Sequence, residues 1–217
     1  MIDRSRGSPA LKKMFRREFA GTLVSDFWSA YNAFVGSSAQ KCLSHLLREL
    51  KHTDQYKSPG PGWPAFRRKL RRLVRDAIRL RKAHGELSAE AFASRRRRIH
   101  ARLQTLIVAD WQDQNARRLI KRLKRHQHEL FTFLEQLDVP FDNNHAEREI
   151  RPAVLMRKTS YGNRSDRGAE TQEILMTVLR TLKQRGHQPL DLLPTTLAHY
   201  IKTGRLPPMP QKVTPDE

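Results

Sequence analysis

Apolar residues along this chain recur mainly at three- and four-residue steps, a spacing that predicts a largely helical protein. The exceptions come early. Thr22-Leu23-Val24-Ser25 is a short, apolar, β-branched run that reads as a buried strand ending at Asp26. Ala39-Gln40-Lys41-Cys42-Leu43 reads as a second strand, followed by a helix with Leu46, Leu47 and Leu50 on one side. A helical pattern through Leu11, Met14, Phe15 and Phe19, closed by Gly21, precedes the first strand. Between the strands, Phe27 to Phe34 reads as a short aromatic helix.

Residues 57–64, with prolines and glycines alternating up to Trp63 and Pro64, form a cluster of breakers and the clearest boundary in the chain. Three helices are predicted beyond it. Phe66, Leu70, Leu73, Val74, Ala77 and Ile78 line the first, which ends near Gly85. Ser88 caps the second, with its stripe at Phe92, Ile99, Leu103 and Leu106. The third runs from about Asn115 through Leu119, Ile120, Leu123, Leu130, Leu134 and Leu137. A break at Pro140-Phe141-Asp142-Asn143-Asn144 leads to a helix opening at His145, and a polar loop follows at 162–168. The next helix carries Ile174, Leu175, Val178, Leu179 and Leu182 and ends at Gly186. Two short helices are predicted around Leu190–Leu193 and Pro194–Lys202, then a proline-rich disordered tail from 206 to 217.

Charge changes this picture most. The chain has 217 residues, with 42 Lys and Arg against 22 Asp and Glu, a formal charge of +20. A folded chain with that excess repels itself unless a polyanion screens it, and nucleic acid is the usual one. The clusters Arg67-Arg68-Lys69, Arg71-Arg72, Arg95-Arg96-Arg97-Arg98, Arg117-Arg118 and Lys121-Arg122-Lys124-Arg125 have few acids among them, which favours a phosphate-tracking face over an ordinary solvated one. Aromatics are 7% and lie apart from these runs, against a stacking platform for single strands. One cysteine excludes an intramolecular disulfide, the start lacks an apolar signal core, and no apolar run approaches the ~20 residues of a membrane span. The expected location is cytoplasmic and nucleoid-associated.

Asp26 and Glu147 are the candidate chemistry. Asp26 sits where a strand ends, a position at which open α/β sheets present functional groups, though such an Asp also caps the helix that follows. Glu147 lies in the first turn of a helix, and Asn144-x-x-Glu147 also has capping-box spacing. Two such carboxylates can share divalent metal with phosphate oxygens. Cys42-x-x-His45 is half a zinc site with no second pair in sequence, so Cys42 reads instead as a small buried hydrophobe at a strand end, with His45 able to reach and orient Asp26. Arg148, Arg151, Arg157 and Lys158 either hold a phosphodiester beside Glu147 or pair with Glu147 and Glu149.

The segments Gly21-Thr-Leu-Val-Ser-Asp26-Phe-Trp-Ser-Ala-Tyr31-Asn32, Lys41-Cys42-Leu-Ser-His45-Leu-Leu-Arg48 and Asp142-Asn143-Asn144-His-Ala-Glu147-Arg148-Glu-Ile-Arg151-Pro152 together resemble the bacterial insertion sequence sixty-six transposases. The resemblance spans about residues 2–205. It implies an α/β, mostly α, partial ribonuclease H-like fold with a large all-helical insertion. Its divisions are a partial core at 1–56, the insertion at 57–139, C-terminal core helices at 140–205 and the tail at 206–217. It implies an Asp-Asp-Glu site binding Mg²⁺ or Mn²⁺, with Asp26 as second acid and Glu147 as third, supported by His45, Asn143 and Asn144. The implied reaction is cleavage of DNA at transposon ends and strand transfer to target DNA. The first acid is expected upstream of Met1, because Asp3 falls beyond the third strand. The chain is therefore expected to be truncated, inactive alone, and a partner of intact transposase or of its own missing N-terminal half. The competing readings are a non-catalytic, basic, helical DNA-binding protein and, on charge alone, an RNA-associated structural protein.

Overall fold

The computed structural model describes residues 2–3, 7–14, 21–33 and 38–213. Phe15, Phe19 and Phe34 lie outside the described residues. Helix α1 (Ser8–Met14) is followed by strand β1 (Thr22–Ser25), a 3₁₀ turn at Ser29–Ala33 and strand β2 (Ser38–Lys41). The two strands pair in parallel, in register from Thr22 opposite Ser38 to Ser25 opposite Lys41. The rest is helical: α2 (Leu43–Tyr56), α3 (Trp63–Lys82), α4 (Ala89–Val108), α5 (Gln114–Arg125), α6 (Asn144–Ser160), α7 (Asp166–Gln184) and α8 (Pro189–Thr203). No described helix is long and apolar enough to cross a membrane.

The chain divides into two compact units, Ser5–Arg148 and Glu149–Glu217 together with Met1–Arg4. The first has one continuous hydrophobic core. Leu43, Leu46 and Leu50 of α2 join Trp63, Phe66, Leu70, Leu73, Val74 and Ala77 of α3, and the α4 and α5 stripes complete it. Each large apolar side chain among them contributes roughly 1.5–3 kcal/mol on full burial. The breaker cluster at 57–64 thus joins two helices of one core. Asp113 ties it down, accepting from Gly60 N at 2.6 Å while capping α5 through Ala116 N at 2.8 Å. A Cβ on Gly60 would stand 3.2 Å from that carboxylate, a tight contact that would make Asp113 shift by a few tenths of an ångström.

Four expectations are corrected. The second strand ends at Lys41, not Leu43, because Cys42 turns the chain into the N-cap of α2 and Leu43 N donates to Phe141 O at 2.9 Å. The third insertion helix stops at Arg125 instead of reaching Leu137. Gln40 holds the following segment as 3₁₀ turns, donating to Leu130 O at 2.9 Å and accepting from Phe133 N at 3.1 Å, and Thr132 Oγ1 donates to Ala39 O at 2.6 Å. Leu130, Phe131, Phe133 and Leu134 are all buried there, on no single helical face.

In the second unit, one helix replaces the two short ones predicted. Pro194 lies inside α8, at its sixth residue, and the helix runs on through it without the one backbone hydrogen bond that its missing N–H would make. Along the tail expected to be disordered, Val213 N donates to Arg185 O at 2.8 Å and Arg185 Nη1 donates to Pro210 O at 2.7 Å. Residues 214–217 lie outside the described residues. Gly186, with φ of +85°, closes α7 as expected, letting His187 N donate back to Leu182 O at 3.0 Å.

Candidate metal and nucleic-acid site

The first turn of α2 organises the site. Its helix begins at Leu43 because Cys42 has extended backbone, and His45 and Arg48 follow at three-residue steps on one face. The Asp142-Asn143-Asn144 string is fastened to this turn. Asp142 accepts from Ser44 Oγ at 3.0 Å, from Asn144 N at 3.2 Å and from Asn144 Nδ2 at 2.7 Å. Asn143 N donates to Cys42 Sγ at 3.5 Å. Helix α6 therefore starts against the start of α2, and Glu147, one turn in, faces His45 and Arg48.

Glu147 accepts from Arg48 Nη2 through both oxygens, at 3.1 and 3.2 Å, and lies 3.3 Å from His45 Nε2. This corrects two expectations. Glu147 is not the reciprocal half of a capping box, because Asp142 takes the Asn144 amide that such a box would use. His45 contacts Glu147, not Asp26, because it stands on the face of α2 that α6 approaches.

Asp26 follows β1. Its Oδ1 accepts from Trp28 N at 2.9 Å, a local turn that leads into the 3₁₀ segment, so part of the capping reading holds. Phe27 anchors the turn, its ring 4.5 Å from the Arg122 guanidinium, and Arg122 in turn pairs with Glu49 of α2. Burial and, to a smaller extent, the Asp26 charge raise the Tyr31 hydroxyl above its usual pKa. An open cleft of about 510 Å³ brings Asp26, Trp28, His45, Arg48, Glu49 and Arg122 together. Asp26 thus lines a cleft with His45 and Arg48, the two residues that Glu147 contacts.

Burial holds the Cys42 thiol above its usual pKa, with the neighbouring amides of Asn143, His45 and Ser44 opposing. Cys42, His45 and Glu147 each offer a ligand atom within 4.8 Å of the other two. Asn143 and Asn144 stand at the site as structural supports, through their bonds to Cys42 and Asp142.

Basic residues crowd the insertion helices: nine in α3, five in α4 and six in α5, against Asp76 and Glu90 alone. Asp76 is shared among Arg72, Arg79 and Arg102. None of Arg95, Arg96, Arg97 and Arg98 pairs with an acid among the described residues, and three of the four are exposed. On α6, Arg148, Arg151, Arg157 and Lys158 are exposed. The pairing alternative for them fails, since Glu147 goes to Arg48 and Glu149 to Arg180.

Sequence reasoning missed Arg48 and the fastening role of Asp142. Arg48 lies three residues beyond His45, on the same helix face, and that spacing was the available signal. Asp142 lies two residues before the first residue of α6, where a carboxylate can accept from helix amides.

The family model described as Transposase IS66 family matches residues 1–171 of this chain. The chain belongs to that transposase family. It is also similar to two uncharacterised proteins of Sinorhizobium fredii. One, y4qI, is 40% identical over 70 residues, covering 32% of this chain and 13% of its own length. The other, y4jO, is 33% identical over 69 residues, covering 32% of this chain and 22% of its own length. The match thus spans less than a quarter of either curated relative. No solved structure matches the chain.

Proposed function

We propose that this member of the IS66 transposase family handles DNA through its basic helices and supplies two acids, Asp26 and Glu147, to a Mg²⁺- or Mn²⁺-dependent strand-cleavage and strand-transfer site of ribonuclease H-like type. The observation that carries the reading is the His45–Arg48 pair: both residues line the cleft that holds Asp26, and both contact Glu147. Their hard oxygen donors suit Mg²⁺, which is held by one or two carboxylates together with phosphate oxygens. When bound, such an ion stabilises charge on the attacking and leaving oxygens of an in-line displacement. The chain's own part is positional. Asp142 and Asn143 fix the start of α6 on α2, Phe27 fixes the turn holding Asp26, and Arg48 bonds both oxygens of the Glu147 carboxylate. Arg148, Arg151, Arg157, Lys158 and Arg95–Arg98 hold DNA phosphates.

Mn²⁺ binding, followed by loss of the free-ion electron paramagnetic resonance signal, tests the site without requiring turnover. Asp26→Asn and Glu147→Gln each weaken binding. If both variants bind Mn²⁺ as the natural chain does, the assignment is wrong. Duplex nicking in a complemented reaction, abolished by Glu147→Gln, tests the chemistry. The second reading, a DNA-binding protein without catalysis, is favoured by the Asp26 turn bond to Trp28, and it predicts unchanged Mn²⁺ binding in both variants.

A further inference from the structure

We propose that Cys42, His45 and Glu147 form a site for a thiophilic divalent ion of the zinc class, with one coordination position left for water. The three ligand atoms lie within 4.8 Å of one another. His45 Nε2 and Glu147 Oε1 are 3.3 Å apart. Tetrahedral zinc bonds of ~2.0–2.2 Å to nitrogen and oxygen place such atoms about 3.3–3.5 Å apart, so one edge of the tetrahedron is already formed. The sequence supplies the other edge. Cys42 is the N-cap residue of α2 and His45 is three residues on, so sulfur and imidazole share the first turn. The missing partner for this Cys-x-x-His pair comes from α6, which is tied to the same turn through Asp142–Ser44 and Asn143–Cys42.

The chemistry of the donors selects the ion. One sulfur, one imidazole nitrogen and one carboxylate suit zinc, whereas Mg²⁺ and Ca²⁺ take oxygen throughout. Two buried polar atoms here, His45 Nδ1 and Asn143 Oδ1, have no hydrogen-bond partner among the described residues. Cys42 is fully buried, which shields a metal–sulfur bond from exchange. On binding, the thiol proton passes to solvent, the thiolate bonds the ion, and Glu147 leaves Arg48, an exposed partner that holds it weakly. The site shares Glu147 with the proposed catalytic centre but does not rest on that reading.

Cobalt substitution tests it on the full chain, with no DNA present. Co²⁺ gives a thiolate-to-metal charge-transfer band in the near ultraviolet and the visible bands of a four-coordinate ion, and Zn²⁺ removes both. Cys42→Ser loses the ultraviolet band. Cys42→Ser and His45→Ala each weaken zinc binding by about 100-fold or more, beyond the 10–100-fold typical of outer-shell partners. Because Cys42 is buried, a second measurement uses the unaltered chain: its one cysteine is alkylated more slowly with Zn²⁺ present and at an unchanged rate with Mg²⁺. Asp26→Asn lowers Mn²⁺ affinity and leaves zinc affinity unchanged, separating this site from the catalytic reading. An absent ultraviolet band, alkylation indifferent to zinc, or equal loss of zinc in Asp26→Asn would each overturn the proposal.

Discussion

Replacing Asp142 with alanine isolates the carboxylate that joins α6 to α2. It accepts three hydrogen bonds, from Ser44 Oγ, Asn144 N and Asn144 Nδ2. Two are local and act as a helix-start cap; the third crosses to α2. Removing a capping side chain costs about 0.5–2 kcal/mol. Asp142 is half-buried, so water re-solvates part of what it leaves, and the middle of that range, about 1–1.5 kcal/mol, is expected. For a domain of this size each kcal/mol lowers Tm by roughly 2–4 °C, giving a fall of about 2–6 °C by circular dichroism. The second consequence is specific to position. With its start released, α6 no longer presents Glu147 to His45 and Arg48, so Mn²⁺ affinity falls with Tm. Asp142→Asn keeps an oxygen acceptor for the Asn144 amide and recovers most of both. A variant that melts normally, or one that loses stability while binding Mn²⁺ unchanged, would refute the claim that Asp142 positions Glu147.

Three further outcomes are expected. Alanine at Arg95, Arg96, Arg97 and Arg98 together weakens duplex binding regardless of sequence and reduces the salt slope of log K by roughly 0.9 for each phosphate no longer neutralised, by up to about 4 units; an unchanged slope in filter or fluorescence titrations removes α4 from the DNA surface. Phe66→Ala empties the site of a fully buried ring packed on Trp63 and Trp111 and destabilises the first unit by about 3–5 kcal/mol in urea titration, with a fall under 1 kcal/mol counting against the single core. Burial lowers the pKa of both His126 and His100 below the ordinary value, so the unfolded chain takes up protons first as pH falls. Stability therefore decreases below about pH 6.5, and His126→Gln flattens the Tm-versus-pH curve there; an equal slope in that variant contradicts the reading.

The helices were legible where one face is apolar. The stripes at Phe66–Ala77 and Phe92–Leu106 became core almost residue for residue. The reading failed where side chains from elsewhere dictate the backbone. The Leu130–Leu137 stretch has helical spacing, but Gln40 and Thr132 bond it to β2, and the large apolar groups Leu130, Phe131, Phe133 and Leu134 turn inward around 3₁₀ turns. Periodicity carries no record of a glutamine some ninety residues away. The tail's prolines suggested disorder, yet Arg185 and His187 hold its carbonyls, an attachment with no local signature. At the site, Asp26 and Glu147 were visible as motif positions. The Glu147–His45 contact was not, because it depends on which face of α2 meets α6, and that face is chosen by Asp142 and Asn143.

The arrangement makes Glu147 the shared resource of this structure. Its carboxylate is the acid of the proposed hard-metal centre with Asp26 and the oxygen ligand of the proposed soft-metal centre with Cys42 and His45. In the protein as it stands, Arg48 bonds both oxygens of that carboxylate. A guanidinium cannot lose its charge near neutral pH, whereas an exposed ion pair is only weakly bound. Arg48 is therefore an exchangeable partner: it neutralises the carboxylate without locking it in place. Which ion replaces it turns on donor softness, since Asp26 adds oxygen on one side of the His45–Arg48 pair and Cys42 adds sulfur at the base of α2. If both proposals hold, the two ions would draw on the same Glu147 carboxylate, and zinc at Cys42 and His45 would change what that acid can offer beside Asp26.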